Sequence, residues 1–154
     1  MTIWIKILRL LFLVALSIYI GGFTFYSAVV IPILHDRLES SFETGLVTQR
    51  VTDALNALGG VTLMLGWCAF GLTVVCRGRV SRSHLCTLVT SSICLVALVV
   101  LHRVMDQRLA TAALAGFYPW HRAYLWTSTI QWIANLGLLI QSAGPFTPSQ
   151  ESRR

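Results

Sequence analysis

Apolar residues along the chain gather into four long runs, separated by short stretches rich in charge and turn formers. The runs extend from Ile7 to Leu34, Val51 to Cys76, His84 to Leu101 and Ala123 to Ala143. An α-helix needs about 20 predominantly apolar residues to cross the ~30 Å hydrocarbon layer. All four runs reach that length, the third only narrowly. The pattern therefore predicts an all-α membrane protein, a four-transmembrane-helix up-down-up-down bundle over residues 1–143. The intervening segments His35 to Arg50, Arg77 to Ser83 and His102 to Arg122 read as connectors. The end, 144–154, holds two prolines among small polar residues and is expected to be a disordered cytoplasmic tail.

The first run follows Lys6 and Arg9, as a secretory signal would, but continues far beyond the 7–15 apolar residues of such a signal. It reads as a retained anchor. Pro32 falls near its end, where a missing backbone donor costs little, and Gly21-Gly22 in its middle allow a bend or a close helix contact.

Composition excludes the soluble alternatives. Of the 154 residues 55% are hydrophobic and 12% charged, about half the charge of an ordinary globular chain. A water-soluble fold of this size has no interior large enough for that apolar surface, and a disordered chain would not carry it. The net charge of +6 comes from residues scattered around the apolar runs, not gathered on one face, so no nucleic-acid partner is expected. The lipid bilayer is the expected surrounding, with a homo-oligomer or another membrane subunit as possible protein partners.

The basic residues also set an orientation. With four crossings, Lys6, Arg9, Arg77, Arg79, Arg82, Arg153 and Arg154 share one side, three of them within one short connector. Arg37, Arg50, Arg103, Arg108 and Arg122 are spread over two longer connectors on the other. Both termini are expected in the cytoplasm, and the location is the cell inner (plasma) membrane.

The last run carries the most informative polar pattern. His121, Tyr124, Ser128, Gln131, Asn135 and Ser142 recur at helical spacing and form one seam of a helix. Bare amides are costly in hydrocarbon, so Gln131 and Asn135 are expected to face protein or a wet cavity. Two roles fit: interhelical hydrogen bonding that fixes helix register, or a polar pocket that takes a small ligand from the outer side. Trp120, Trp126 and Trp132 read as interfacial and lipid-facing anchors.

Three histidines, His35, His102 and His121, fall on the same outer face under this topology. Imidazole ligates haem iron and divalent metals, so these three are a candidate metal or haem site, with Asp36 or Asp106 as further oxygen donors. An imidazole sits equally well at a membrane interface without any ligand. Asp53 reads as an acid near the positive end of the second helix. Cys68, Cys76, Cys86 and Cys94 fall at matching depths on two antiparallel helices, but they lie in the membrane or towards a reducing compartment and read as small apolar filler. No nucleophile elbow, phosphate-binding loop or paired intramembrane carboxylate is present, and no enzyme activity is expected.

Gly21-Gly22-Phe23-Thr24-Phe25-Tyr26 before Val30-Ile31-Pro32, together with Trp120-His121-Arg122-x-Tyr124 before Ser128-x-x-Gln131-x-x-x-Asn135-Leu136-Gly137, forms a combination that resembles a known family. It is similar to a domain-of-unknown-function family of small four-helix membrane proteins that includes the transmembrane-protein-205-like proteins. The resemblance covers the first and last helices and implies a four-helix membrane bundle; it implies no particular activity. The leading functional expectation is a small non-enzymatic membrane protein whose seam serves helix contacts or binds a small ligand. The alternatives are a haem- or metal-binding subunit in electron transfer, and a component of an oligomeric transporter.

Overall fold

A computed structural model describes residues 2–38, 41–78, 81–110 and 117–143. These residues are helical throughout, and no strand occurs among them. The first rod comprises α1 (Thr2–Phe25), a five-residue π-turn (Tyr26–Val30) and α2 (Ile31–Arg37). Three further helices follow: α3 (Ser41–Arg77), α4 (Arg82–Ala110) and α5 (Phe117–Ala143). Three of the four rods are long and apolar enough to cross a membrane: Ile3–Arg37, Glu43–Cys76 and Arg82–Arg108.

Local sequence explains the breaks. Pro32 has no N–H to offer the carbonyl four residues back, and its ring crowds that carbonyl. The chain relieves this by widening, so that the Ile31 N–H bonds the Tyr26 carbonyl five residues back. At the end of α3, Gly78 adopts φ +62°, the left-handed conformation that closes a helix, and its N–H bonds the Val74 carbonyl at 2.8 Å. Pro119 lies in the first turn of α5, where no intrahelical donor is lost.

The helices outrun the apolar stretches. Ser41 to Arg50 belongs to α3, His102 to Ala110 to α4, and Phe117 to Arg122 to α5, all segments expected as connector. An apolar run marks where a helix meets hydrocarbon and says nothing about where its backbone ladder stops. The 37 residues of α3 span about 55 Å, well beyond the membrane's apolar layer.

Each rod packs on two neighbours in the cyclic order α1, α3, α4, α5, so α1 faces α4 across the centre and α3 faces α5. Paired residues show that adjacent rods run antiparallel. Arg9 meets Ser142 and Tyr19 meets Gln131; Trp67 meets Ser92 and Asp53 meets His102; Gln141 meets Thr87 and Tyr124 meets His102. The core is a cluster drawn from all four rods: Phe12, Leu16 and Ile20 of α1, Leu63 of α3, Leu88 of α4 and Leu138 of α5. Glycines on α3 admit the bulky side chains of α1. A Cβ at Gly66 would stand 2.9 Å from the Phe12 ring, and one at Gly59 would stand 3.2 Å from the Tyr19 ring. Outward faces are apolar instead of charged, as Leu10, Val14, Ile18, Met64, Ile93, Val96, Ile130 and Ile133 illustrate. That is the inverse of a water-soluble bundle and suits lipid as solvent.

Candidate functional site

The helical period of α5 turns one polar stripe inward. Ser128, Gln131, Asn135 and Ser142 are buried, and His121 and Tyr124 at the start of the stripe are half-buried. The stripe meets polar side chains from α1 and α4 that lie within otherwise apolar runs. Ser91 of α4, wholly buried, donates to Asn135 Oδ1 at 2.6 Å. Tyr19 of α1 donates to Gln131 Oε1 at 3.1 Å. Spacing singles out neither Ser91 nor Tyr19, because each has other polar residues close by in its apolar run, Thr90 and Ser92 for the first and Ser17 and Thr24 for the second.

The two amides differ. Asn135 sits in the α4–α5 contact as an interhelical clasp. Gln131, 2% exposed, has its oxygen engaged by Tyr19 while Nε2 meets no hydrogen-bond partner. A buried, unmatched amide donor is costly, typically by about 1–3 kcal/mol. Ser128 makes no demand on the seam, since its hydroxyl bonds the Tyr124 carbonyl one turn back at 2.8 Å.

The seam ends differently at its two extremities. Near the chain termini, Arg9 of α1 donates from Nε to the Ser142 carbonyl at 2.8 Å, and Nη2 donates to the same oxygen. This places a guanidinium on the last turn of α5, where the helix dipole favours positive charge. At the other end the stripe passes Tyr124, which lies beside Thr52 and Ser128, to reach His102. The imidazole of His102 is 6.3 Å from the Tyr124 ring, centroid to centroid, and 7% exposed. Its Nε2 lies 3.2 Å from Asp53 Oδ1 and 3.6 Å from Asp106 Oδ2. Asp53 therefore does not open a helix: α3 begins at Ser41, so Asp53 lies several turns in, and it faces α4 instead.

The three histidines of the candidate metal or haem site sit in different surroundings. His35 is exposed, and its Nδ1 lies 2.9 Å from the Ile31 carbonyl of its own helix. His102 is turned into the α3–α4 contact. Partial burial, together with the nearby His35 ring, holds the pKa of His121 below the ordinary 6.5. Among the described residues no group of three or more His, Cys, Asp or Glu side chains is placed to hold a metal ion.

Other expectations are refined. Trp126 is exposed on the outward face of α5, but Trp132 packs against the core and donates to Thr24 Oγ1 at 3.0 Å. All four cysteines are free thiols; Cys94 is buried while Cys68 is exposed, so these two do not face each other as a level pair. The tail from 144 onward lies outside the described residues. No protein-family model, curated protein or solved structure matches the chain.

Proposed function

We propose that this chain is a multi-pass inner (plasma) membrane protein with four crossings and both ends in the cytoplasm. Its α5 seam both fixes helix contacts and admits a small polar ligand from the outer side, and it performs no catalysis. The fourth crossing is supported by the way polarity is distributed on α5. Averaged over the helix, Gln131, Asn135 and the hydroxyl residues dilute its apolarity, yet those side chains face inward. The outward face carries Leu125, Trp126, Ile130, Ile133 and Ile140. At 27 residues α5 is about 40 Å long, enough to span the hydrocarbon layer. The arginine distribution supports the orientation, Arg77, Arg79 and Arg82 falling within six residues from the end of α3 to the start of α4.

The observation that carries the ligand half of the proposal is the Gln131 amide: oxygen satisfied, nitrogen buried and unpartnered, in a stripe that leads to the half-buried Tyr124 and His121. A small molecule with a hydrogen-bond acceptor would satisfy that donor. The test is to purify the full chain and its Gln131→Leu variant in mild detergent, denature both, and compare released small molecules by mass spectrometry. The proposal requires a species released stoichiometrically by the native chain and lost from the variant. Equal release from both, or none from either, would leave the seam as a helix clasp alone.

A further inference from the structure

The end of the bundle remote from residue 2 brings two carboxylates from different helices, Asp53 of α3 and Asp106 of α4, against one buried imidazole. His102 is 7% exposed, and both acids lie within ion-pair range of Nε2. At 3.2 Å a correctly directed N–H would make a hydrogen bond, yet Nε2 has no hydrogen-bond partner. Asp53 is out of line with the ring's donor direction, and Asp106 lies beyond hydrogen-bond distance.

The arrangement makes sense when all three groups act as acceptors. With its proton on Nδ1, the imidazole offers a lone pair at Nε2, and an ionised carboxylate only accepts. Three acceptors then converge on one point, two of them negative, in surroundings partly shielded from water. The Asp53 side chain is 57% exposed and that of Asp106 27%, so the point opens towards solvent on the α3 side and closes inward. The Tyr124 ring lies next to the imidazole on the closed side.

A cation that donates hydrogen bonds fits this point. A protonated primary amine carries three N–H donors in a tripod and matches three acceptors, and aromatic rings tolerate a neighbouring ammonium. A metal ion demands fixed short bonds from several ligands at once, and these three side chains are not placed to supply them. We propose that Asp53, Asp106 and His102 form a receptor for the ammonium group of a small primary amine entering from the aqueous side, its carbon chain lying against Tyr124. This site lies beyond the Gln131 seam and goes beyond the ligand reading of that seam.

The test uses the full chain in mild detergent, with thermal unfolding measured against methylammonium chloride and against tetramethylammonium chloride at matched ionic strength. The second ion has the charge and none of the N–H donors. A saturable rise in midpoint with methylammonium only is expected. Asp106→Asn and the half-exposed Asp53→Asn should each weaken the apparent Kd about tenfold or more, because a charge-assisted hydrogen bond is replaced by a neutral one. Gln131→Leu should leave the response intact, which separates this site from the deeper seam. The proposal is overturned if methylammonium gives no saturable shift, if both ions act alike, or if both Asp variants respond as the native chain does. A saturable shift with zinc chloride and none with methylammonium would also overturn it, in favour of a metal centre.

Discussion

Removing the hydroxyl of Ser91 should weaken the bundle by about 1–2 kcal/mol, and the loss should depend on Asn135. The two side chains are 0% and 2% exposed and share a 2.6 Å hydrogen bond between α4 and α5. Ser91→Ala changes volume little and strands the Asn135 oxygen in a dry contact, and a buried unsatisfied group typically costs about 1–3 kcal/mol. Asn135→Leu removes the acceptor instead. The Ser91 hydroxyl then has a fallback, the carbonyl one turn back, which Ser92 and Ser128 already use at 2.8 Å. The hydrogen-bond part of that loss should therefore be smaller, although the larger leucine adds packing strain. Strain is common to both Asn135→Leu arms and cancels in a double-mutant cycle. Polar contacts in membrane bundles average about 0.6 kcal/mol with a ceiling near 1.7, so the double variant should lose less than the sum of the singles by an amount in that range. Reversible unfolding in mixed micelles of mild detergent and dodecyl sulfate, followed by circular dichroism, gives all four free energies. Additivity to within about 0.3 kcal/mol, or a stabilising Asn135→Leu, would refute the inward-facing clasp.

Gly66→Ala should destabilise by about 1–3 kcal/mol less the roughly 1 kcal/mol gained in helix propensity, because the added methyl meets the edge of the buried Phe12 ring at 2.9 Å; thermal unfolding measures it, and a more stable variant would show that the α1–α3 contact yields freely. His121 has a folded pKa held below 6.5 by burial and by His35, so the unfolded chain binds the extra proton first and stability should fall as pH drops through 6.5 towards that lower value. Unfolding curves across that window check this, and His121→Gln should flatten them. A reporter active only in the cytoplasm should work when fused after Ala143 and fail when fused after Leu38; the opposite result would invert the orientation.

How much of this was legible in advance follows from the range of each interaction. The apolar runs and the α5 stripe are local periodicities, so the rods and the inward direction of Gln131 and Asn135 could be read from spacing. Partners could not. Asp53 meets His102 because α3 starts ten residues before its apolar run and carries the aspartate along a continuous helix, whereas a helix beginning at Val51 would have left it at a terminus. The seat of His102 in the α3–α4 contact was hidden for a related reason. Depth in the membrane is set by residue count, but the direction in which a side chain points depends on the rotation of each rod, and that is fixed by contacts such as Phe12 and Tyr19 seated over Gly66 and Gly59.

The contact between Arg9 and the Ser142 carbonyl joins positions 133 residues apart, nearly the first and last turns of the bundle. During synthesis the arginine is made 133 residues before the oxygen it holds. Over that interval a guanidinium two turns into α1 can stay hydrated or pair with lipid phosphate at the membrane surface, which the long arginine stem permits. The last turn of α5 gives it the Ser142 carbonyl, so closing the ring of helices and seating that charge on α5 become one event. A chain without α5 would lack that tether, and this is a physical difference between a bundle whose ring of helices has closed and one whose ring is still open.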